Sequence, residues 1–214
     1  MRLFIVRHGE TFWNLEGRFQ GRQDTELAPH GVEQGEKVAE YLASHRFDAV
    51  ISSPLKRSSI TARRIAETCR CDTFEIADEF TEICHGDWES CLATEVTEKW
   101  PRLFDLWHTV PHTVVMPGDG GESLRDVEAR AVPATELLAK RYSGDVCLVS
   151  HDVPIKTILF HYLNMPLSSF WSILIANCSL SILELREGHP GRLNLLGDAH
   201  FLGQGFDLPE QKSL

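Results

Sequence analysis

Short apolar runs alternate with amphipathic stretches along this chain. Three of the runs end abruptly at polar or charged residues, which is typical of buried strands that feed loops. These predicted strands lie at 3–6, 47–54 and 145–151. Elsewhere, apolar residues recur every three or four positions, and this spacing predicts helices over 31–47, 57–69, 124–138 and 154–162. The alternation predicts an α/β fold around a mostly parallel sheet.

Three further segments have a less regular pattern. Residues 72–81 indicate a short third strand or an extended segment. From 88 to 116 the chain is rich in aromatic residues at helical spacing, which favours either packed helices or a lid over a pocket. Apolar and polar residues alternate from 170 to 197 around a turn, so we predict a final hairpin or edge strands. An exposed edge strand near 179–185 could pair two copies as a homodimer.

Composition narrows the class of protein. The chain has 214 residues, of which 43% are hydrophobic and 24% charged, and this suits a single domain over 1–214. The sequence shows neither a signal peptide nor a run of membrane-spanning length, and its six cysteines include no CxxC pair, so we expect a cytoplasmic protein. A net charge of −10 argues against nucleic acid as a partner.

Candidate chemistry stands at the predicted strand ends. Arg7 and His8 follow the first strand, Arg57 begins the helix after the second, and His151 ends the strand at 145–151. Parallel strands present their carboxyl ends at one sheet edge, where ligands bind in α/β proteins, so these residues can meet in one anion-binding site. The loop over 11–23 adds further polar groups. Each of these residues by itself could equally be a surface charge.

Five motifs occur in a particular order and spacing: Arg7-His8-Gly9-Glu10-Thr11 with Asn14, Gly17 to Gly21, Ser52 to Arg57, Gly121 to Leu124, and Val149 to His151. Together they resemble the histidine phosphatase superfamily, in its phosphoglycerate mutase-like branch, over nearly the whole chain. The resemblance implies a three-layer α/β/α sandwich with a helical, lid-like insertion at about 86–117. It also implies a small phosphorylated metabolite as the partner.

The resemblance implies how each residue would act. His8 would attack phosphorus and form a phosphohistidine, and Glu82 would protonate the leaving oxygen and then accept a proton from water. Four side chains would hold the transferring oxygens: Arg7, Arg57, His151 and Asn14. The remaining candidates for substrate binding are Gln20, Gly21, His85 and Asp152. The resemblance implies neither a metal nor another cofactor, because side chains supply the positive charge.

Two features narrow the position within the family. Between Glu82 and Gly120 lie 37 residues, Ile83 to Asp119. The mutases typically carry a longer insertion here, so we favour hydrolysis over mutase transfer.

His85 stands where many relatives have an aromatic residue. In this feature the chain resembles the metal-independent phosphoserine phosphatases of bacteria. A histidine at the pocket rim could donate to a substrate carboxylate, or it could simply pack against Trp88 or bond to the backbone. An α-ribazole or broad-specificity phosphatase, a phosphoglycerate mutase and an inactive phospho-ligand-binding regulatory module stay open as alternatives. The complete catalytic set favours an enzyme.

Overall fold

The computed structural model describes residues 1–186 and 188–203. In that part of the chain one mixed sheet has six strands in the order β3-β2-β4-β1-β5-β6. The strands are β1 (Arg2–Arg7), β2 (Ala49–Ser52), β3 (Phe74–Ile76), β4 (Asp145–Ser150), β5 (Leu180–Glu184) and β6 (Arg192–Asp198). The first four in chain order pair in parallel, whereas β5 is antiparallel to β1 and β6 to β5.

Helices cover both faces of the sheet. They are α1 (Phe12–Glu16), α2 (Pro29–Tyr41), α3 (Lys56–Cys69), α4 (Ala93–Lys99), α5 (Pro101–Thr109), α6 (Leu124–Arg141) and α7 (Asp152–Tyr162). Successive side chains of a strand point to opposite faces. In β1, Leu3 and Ile5 therefore join the apolar cluster of α6 and α7, while Phe4 and Val6 join that of α2 and α3. The expected three-layer α/β/α sandwich is confirmed.

The register of the parallel strands determines where the site forms. Arg7 pairs with Ser150 across β1 and β4, and Ser52 pairs with Val149 across β2 and β4. The three strands therefore end side by side. The residues that follow them emerge at a single edge of the sheet.

The segment predicted at about 86–117 is helical, as its spacing indicated. It contains α4, α5 and short 3₁₀ turns at Gly86–Trp88 and Pro111–Thr113. Trp88 and Trp107 from this segment are fully buried in the same apolar cluster as Leu3 and Ile5. The segment therefore contributes to the core, and its action as a lid stays a prediction.

The strand near 179–185 is not the exposed edge that the sequence suggested, and that interpretation is wrong. β5 lies between β1 and β6, because the apolar alternation continues into β6, which pairs with its outer side. The edge strands are β3 and β6. The homodimer itself stays a prediction.

Several predicted boundaries were too wide. The helix expected over 31–47 begins at Pro29, whose fixed φ suits the first turn, and ends at Tyr41. The strand expected over 47–54 is confined to β2, and 72–81 contains the three-residue β3. The single domain over 1–214 includes positions 204–214, which lie outside the described residues. Among the helices that the structure describes, none is long and apolar enough to span a membrane.

Candidate active site

His8 follows the last residue of β1, and backbone contacts hold it on both sides. Its N–H donates to the carbonyl of Ser150 (3.0 Å), and its carbonyl accepts from the side chain of Asn177 (2.9 Å). The ring Nδ1 lies 2.7 Å from the carbonyl oxygen of Gly9. Because a carbonyl oxygen can only accept, Nδ1 carries the proton and Nε2 keeps its lone pair.

His8 is also held in its neutral form. The side chain is buried, and burial together with the positive charges of Arg57 and Arg7 holds the pKa of its ring well below the usual range. At neutral pH, Nε2 is therefore unprotonated. This is the state in which an imidazole can act as a nucleophile.

The turn after His8 has room for glycine alone. A Cβ atom at Gly9 would lie 2.3 Å from the carbonyl oxygen of Gly31, in the first turn of α2. Because that oxygen belongs to the backbone, a side chain at position 9 would push the loop away from α2. The carbonyl that orients the His8 ring would move with it.

Arg7 is the last residue of β1, and its guanidinium is buried at the edge of the sheet. Two contacts fix the orientation of the guanidinium: Nη1 donates to the carbonyl of Ile175 (2.7 Å) and lies 3.9 Å from Oδ1 of Asp152. The buried Nε makes no hydrogen bond to any described residue. A fixed guanidinium with donors to spare suits a phosphate group.

Arg57 lies in the first turn of α3, as the sequence predicted, and approaches the cleft from the opposite side. Its Nη2 donates to the carbonyl of Gly21 (2.8 Å) and its Nη1 to that of Gln23 (2.7 Å). Burial lowers the pKa of Arg57 to about 10, so the group remains charged at neutral pH. The loop over 21–23 therefore sets the direction of this guanidinium.

Glu82 faces the same cleft, with a side chain that is 5% exposed. Its Oε1 accepts from the N–H groups of Ile83 (2.9 Å) and Val153 (3.3 Å). Burial raises the pKa of Glu82 to about 7, although the positive charges of Arg57 and Arg7 oppose this shift. A carboxyl group that titrates near neutrality can both donate and accept a proton during a reaction.

His151 lies beside His8, with their ring centroids 5.0 Å apart. It is fully buried, and its Nε2 lies 2.7 Å from the hydroxyl of Ser53. Burial and the charge of Arg57 hold the pKa of His151 well below its usual range. Its Nδ1 has no hydrogen-bond partner within the described ranges. His151 thus borders the nucleophile, although it does not line the open part of the cleft.

The cleft collects most of the residues singled out from the sequence. Its walls are formed by Arg7, His8, Asn14, Arg18, Phe19, Gln20, Gly21, Arg57, Glu82 and His85. The side-chain amide oxygen of Asn14 accepts from the N–H of Thr11 (3.0 Å), and that of Gln20 accepts from the hydroxyl of Thr25 (2.6 Å). Each amide therefore has its NH₂ end for an anion in the cleft.

His85 is the cleft residue with the least satisfied polar groups. Its ring contacts Phe19 and Trp107, with centroid distances of 5.1 and 6.4 Å. Both ring nitrogens are buried without a hydrogen-bond partner among the residues described, and burial lowers the pKa of His85 to about 3. Gly86 supports the turn behind it at φ +56°, where a Cβ atom would lie 1.8 Å from the carbonyl oxygen of Pro117.

Asp152 does not reach the cleft. Its carboxylate is fully buried behind Arg7, and its Oδ2 lies 2.8 Å from Nζ of Lys156. The structure thus places Asp152 next to Arg7 rather than next to the open space of the cleft.

Sequence reasoning missed Glu89, which links two walls of the cleft. Its Oε1 accepts from the backbone N–H groups of Arg22 (2.9 Å) and His85 (3.2 Å), and its Oε2 accepts from the side chain of Gln23 (2.8 Å). It lies in the aromatic-rich segment, where no motif marks it. Ser53 lies inside the motif from Ser52 to Arg57, but its contact with His151, like that of Asn177 with His8, depends on tertiary structure.

The arrangement joins a neutral nucleophile, two fixed guanidinium groups and a carboxyl that titrates near pH 7. It can therefore bind a phosphate, attack it and exchange a proton with the leaving group. Within 1–186 and 188–203, the structure contains no group of three or more His, Cys, Asp and Glu side chains suited to a metal ion.

Comparisons with known proteins show the family of this chain. The family model of the histidine phosphatase superfamily (branch 1) matches residues 3–198. Phosphoserine phosphatase 1 of Hydrogenobacter thermophilus is 38% identical over 188 residues, which are 87% of this chain and 88% of that protein. The metal-independent phosphoserine phosphatase of Arabidopsis thaliana is 32% identical over 212 residues, which are 96% of this chain and 87% of that protein.

Solved structures show the same architecture. YhfR of Bacillus stearothermophilus has a TM-score of 0.87 at 28% identity and covers 94% of this chain and 98% of its own. A phosphoserine phosphatase mutant from Entamoeba histolytica, in complex with phosphoserine, has a TM-score of 0.81 at 27% identity and the same coverage. Fold and site define a phosphatase. The chain belongs to the histidine phosphatase superfamily, so the family resemblance seen in its motifs is confirmed.

Proposed function

We propose that this protein hydrolyses small phosphomonoesters through a phosphohistidine on His8, and that it favours a carboxylate-bearing substrate such as phosphoserine. The observation that carries the proposal is the neutral, Nδ1-protonated ring of His8 in a cleft whose walls include Arg7, Arg57 and Glu82. The names of the relatives, which include two phosphoserine phosphatases, support the choice of substrate.

In the first step, Nε2 of His8 attacks phosphorus as the bond from phosphorus to the ester oxygen breaks. Arg7 and Arg57 hold the remaining oxygens, and their fixed charges stabilise the transition state. Glu82 gives its proton to the departing oxygen, so the product leaves as a neutral alcohol.

In the second step, water attacks the phosphohistidine. Glu82, now a carboxylate, takes a proton from that water as the bond between nitrogen and phosphorus breaks. Inorganic phosphate leaves, and both His8 and Glu82 return to their starting states. The NH₂ groups of Asn14 and Gln20 supply further donors to the phosphate in both steps, while His151 borders the His8 ring.

The substrate's carboxylate would bind at His85. A buried imidazole with two unpartnered nitrogens is unfavourable unless a ligand satisfies one of them. With a pKa of about 3 the ring is neutral at pH 7, so it would donate one N–H rather than form an ion pair. A phenylalanine at this position could fill the space but could not donate.

The test is phosphate release from phosphoserine, 3-phosphoglycerate, α-ribazole phosphate and p-nitrophenyl phosphate, with and without EDTA. We expect a preference for phosphoserine that EDTA leaves unchanged. His85→Phe keeps a ring against Phe19, and we expect it to raise KM for phosphoserine by about ten- to a hundredfold, since a hydrogen bond to a charged group contributes about 1.5–3 kcal/mol. Its KM for p-nitrophenyl phosphate should change little. Equal losses on both substrates would refute the assignment of His85, and an inactive protein would favour the regulatory-module alternative.

A further inference from the structure

A buried ion pair lies behind the phosphate-binding edge of the site. Asp152 and Lys156 are one helical turn apart in α7, with side-chain exposures of 0% and 1%, and their charged atoms are 2.8 Å apart. Neither residue lines the cleft or takes part in the proposed steps. A buried ion pair is rarely more stable than an apolar pair of the same size, so stability alone does not account for it.

Aromatic rings hold the ammonium group of Lys156 on its other side. Nζ lies 4.4 Å from the ring centroid of Phe170 and 5.2 Å from that of Trp171, which is within the range of cation–π attraction. The ammonium group is therefore fixed between two rings and one carboxylate. It cannot move away from Asp152 without losing both kinds of contact.

Asp152 stands between two cations at unequal distances. Lys156 approaches one carboxylate oxygen to 2.8 Å, whereas Nη1 of Arg7 remains 3.9 Å from the other. Neither oxygen makes a hydrogen bond of good geometry to a described group. The negative charge is thus compensated mainly by Lys156, with help from the N-terminal end of α7. Arg7 is left with donors for a ligand.

We propose that Lys156 is a positioning residue that neutralises Asp152 and so keeps Arg7 directed at the substrate phosphate. Without Lys156, the buried carboxylate would draw the Arg7 guanidinium into a close ion pair and away from the cleft. This inference rests on the proposed phosphatase function. It adds that binding of the phosphate requires the positive charge of Lys156, although Lys156 does not line the cleft.

The same carboxylate acts on Glu82. Among the described residues, three charged side chains act on the Glu82 carboxyl: Arg7 from β1, Arg57 from α3 and Asp152 from α7. Arg130 from α6 donates through Nη2 to the backbone carbonyl of Glu82 (3.1 Å). The charge of Asp152 raises the pKa of Glu82, whereas Arg57 and Arg7 lower it. Without Lys156, Arg7 would be drawn to Asp152, so its lowering effect on the Glu82 pKa would weaken and that pKa would rise further.

The experiment compares the unsubstituted protein with Lys156→Met, Lys156→Arg and the double variant Asp152→Asn with Lys156→Met. Calorimetry measures the binding of inorganic phosphate, and kcat/KM for phosphoserine is measured against pH. We expect Lys156→Met to weaken phosphate binding about tenfold and to move the alkaline limb of the pH profile upward by about one unit, because a nearby charge shifts a pKa by about 1–3 units. Lys156→Arg should bind as the unsubstituted protein does.

The double variant separates positioning from folding. It removes both charges and keeps similar volumes, so it should fold, and we expect it to regain phosphate affinity to within about threefold. If Lys156→Met lowered only the melting temperature, or if the double variant bound phosphate as weakly as Lys156→Met, the proposal would be overturned. If the unsubstituted protein neither bound phosphate nor released it from phosphoserine, the proposed function would fail and this inference with it.

Discussion

The pH dependence of catalysis tests the assignment of Glu82 as the general acid. The carboxyl must be protonated to give its proton to the leaving oxygen, and its pKa of about 7 places the loss of that proton in an accessible range. At pH 8 about one tenth of the free enzyme would still carry the proton, so kcat/KM for phosphoserine should fall about tenfold per pH unit above neutrality. His8 adds no limb there, because burial holds its pKa far below.

The assay compares two substrates. The p-nitrophenolate ion leaves without protonation, so kcat/KM for p-nitrophenyl phosphate should stay nearly level over the same pH range. Both substrates carry a phosphate that ionises near pH 6, and the ratio of their kcat/KM values largely removes that shared titration. The parameter kcat/KM is the appropriate one because it covers only the steps through departure of the leaving group and reports the free enzyme.

Glu82→Gln completes the test. The amide keeps an oxygen to accept from Ile83 but has no proton to give. We expect a loss of about 10²–10⁴ in kcat/KM for phosphoserine, the usual contribution of a general acid, with no alkaline limb remaining. The loss on p-nitrophenyl phosphate should be far smaller. An equal alkaline limb for both substrates, or an equal loss in Glu82→Gln, would refute the general-acid assignment.

Two further predictions concern stability and the cleft wall. The pKa of Glu82 in the folded protein is about 7, above its ordinary value of 4.5. The contribution of Glu82 to the free energy of unfolding therefore falls as the pH rises from 4.5 to 7. At 1.36 kcal/mol per pKa unit, the loss is about 3 kcal/mol. Glu82→Gln should therefore melt roughly 6–12 °C higher than the unsubstituted protein at pH 8 and nearly level with it at pH 4.5; a constant difference across pH would contradict this. Glu89→Ala should lower kcat/KM about tenfold on every substrate, because loss of its hydrogen bonds loosens the loop that directs Arg57. Glu89→Gln keeps an oxygen for the two backbone N–H groups, so it is the matched control and should lose less of the kcat/KM value. Equal losses of kcat/KM in the two variants would refute the role of the Glu89 hydrogen bonds in directing Arg57.

The sequence predicted most of what depends on local pattern. Apolar runs that end at Arg7 and His151, and the helix that starts at Arg57, were enough to predict the parallel sheet and the convergence of these residues at its edge. The pairing of the two antiparallel strands, β5 and β6, was not predictable from such local patterns. The alternation near 179–185 fits an edge strand as well as an inner one, and only the pairing of β5 with β6 decides between them.

Contacts between distant segments account for what the sequence did not predict. Asp152 comes directly after the motif that ends at His151 and was therefore a candidate for substrate binding, but the first turn of α7 directs it behind Arg7, toward Lys156. Glu89 joins positions 22, 23 and 85, and no spacing along the chain reveals such a link. The tautomer of His8 likewise depends on where the Gly9 carbonyl points, which is a property of the folded turn.

The central claim is that His8 carries the phosphoryl group, and trapping the intermediate tests it most directly. The enzyme would be mixed with radiolabelled phosphoserine, quenched in alkali within milliseconds, digested and sequenced by mass spectrometry. We predict acid-labile, alkali-stable phosphate on the peptide that contains His8, and none in His8→Ala, which should fold normally and release no phosphate. Label on a different residue, or steady turnover by His8→Ala, would contradict the mechanism.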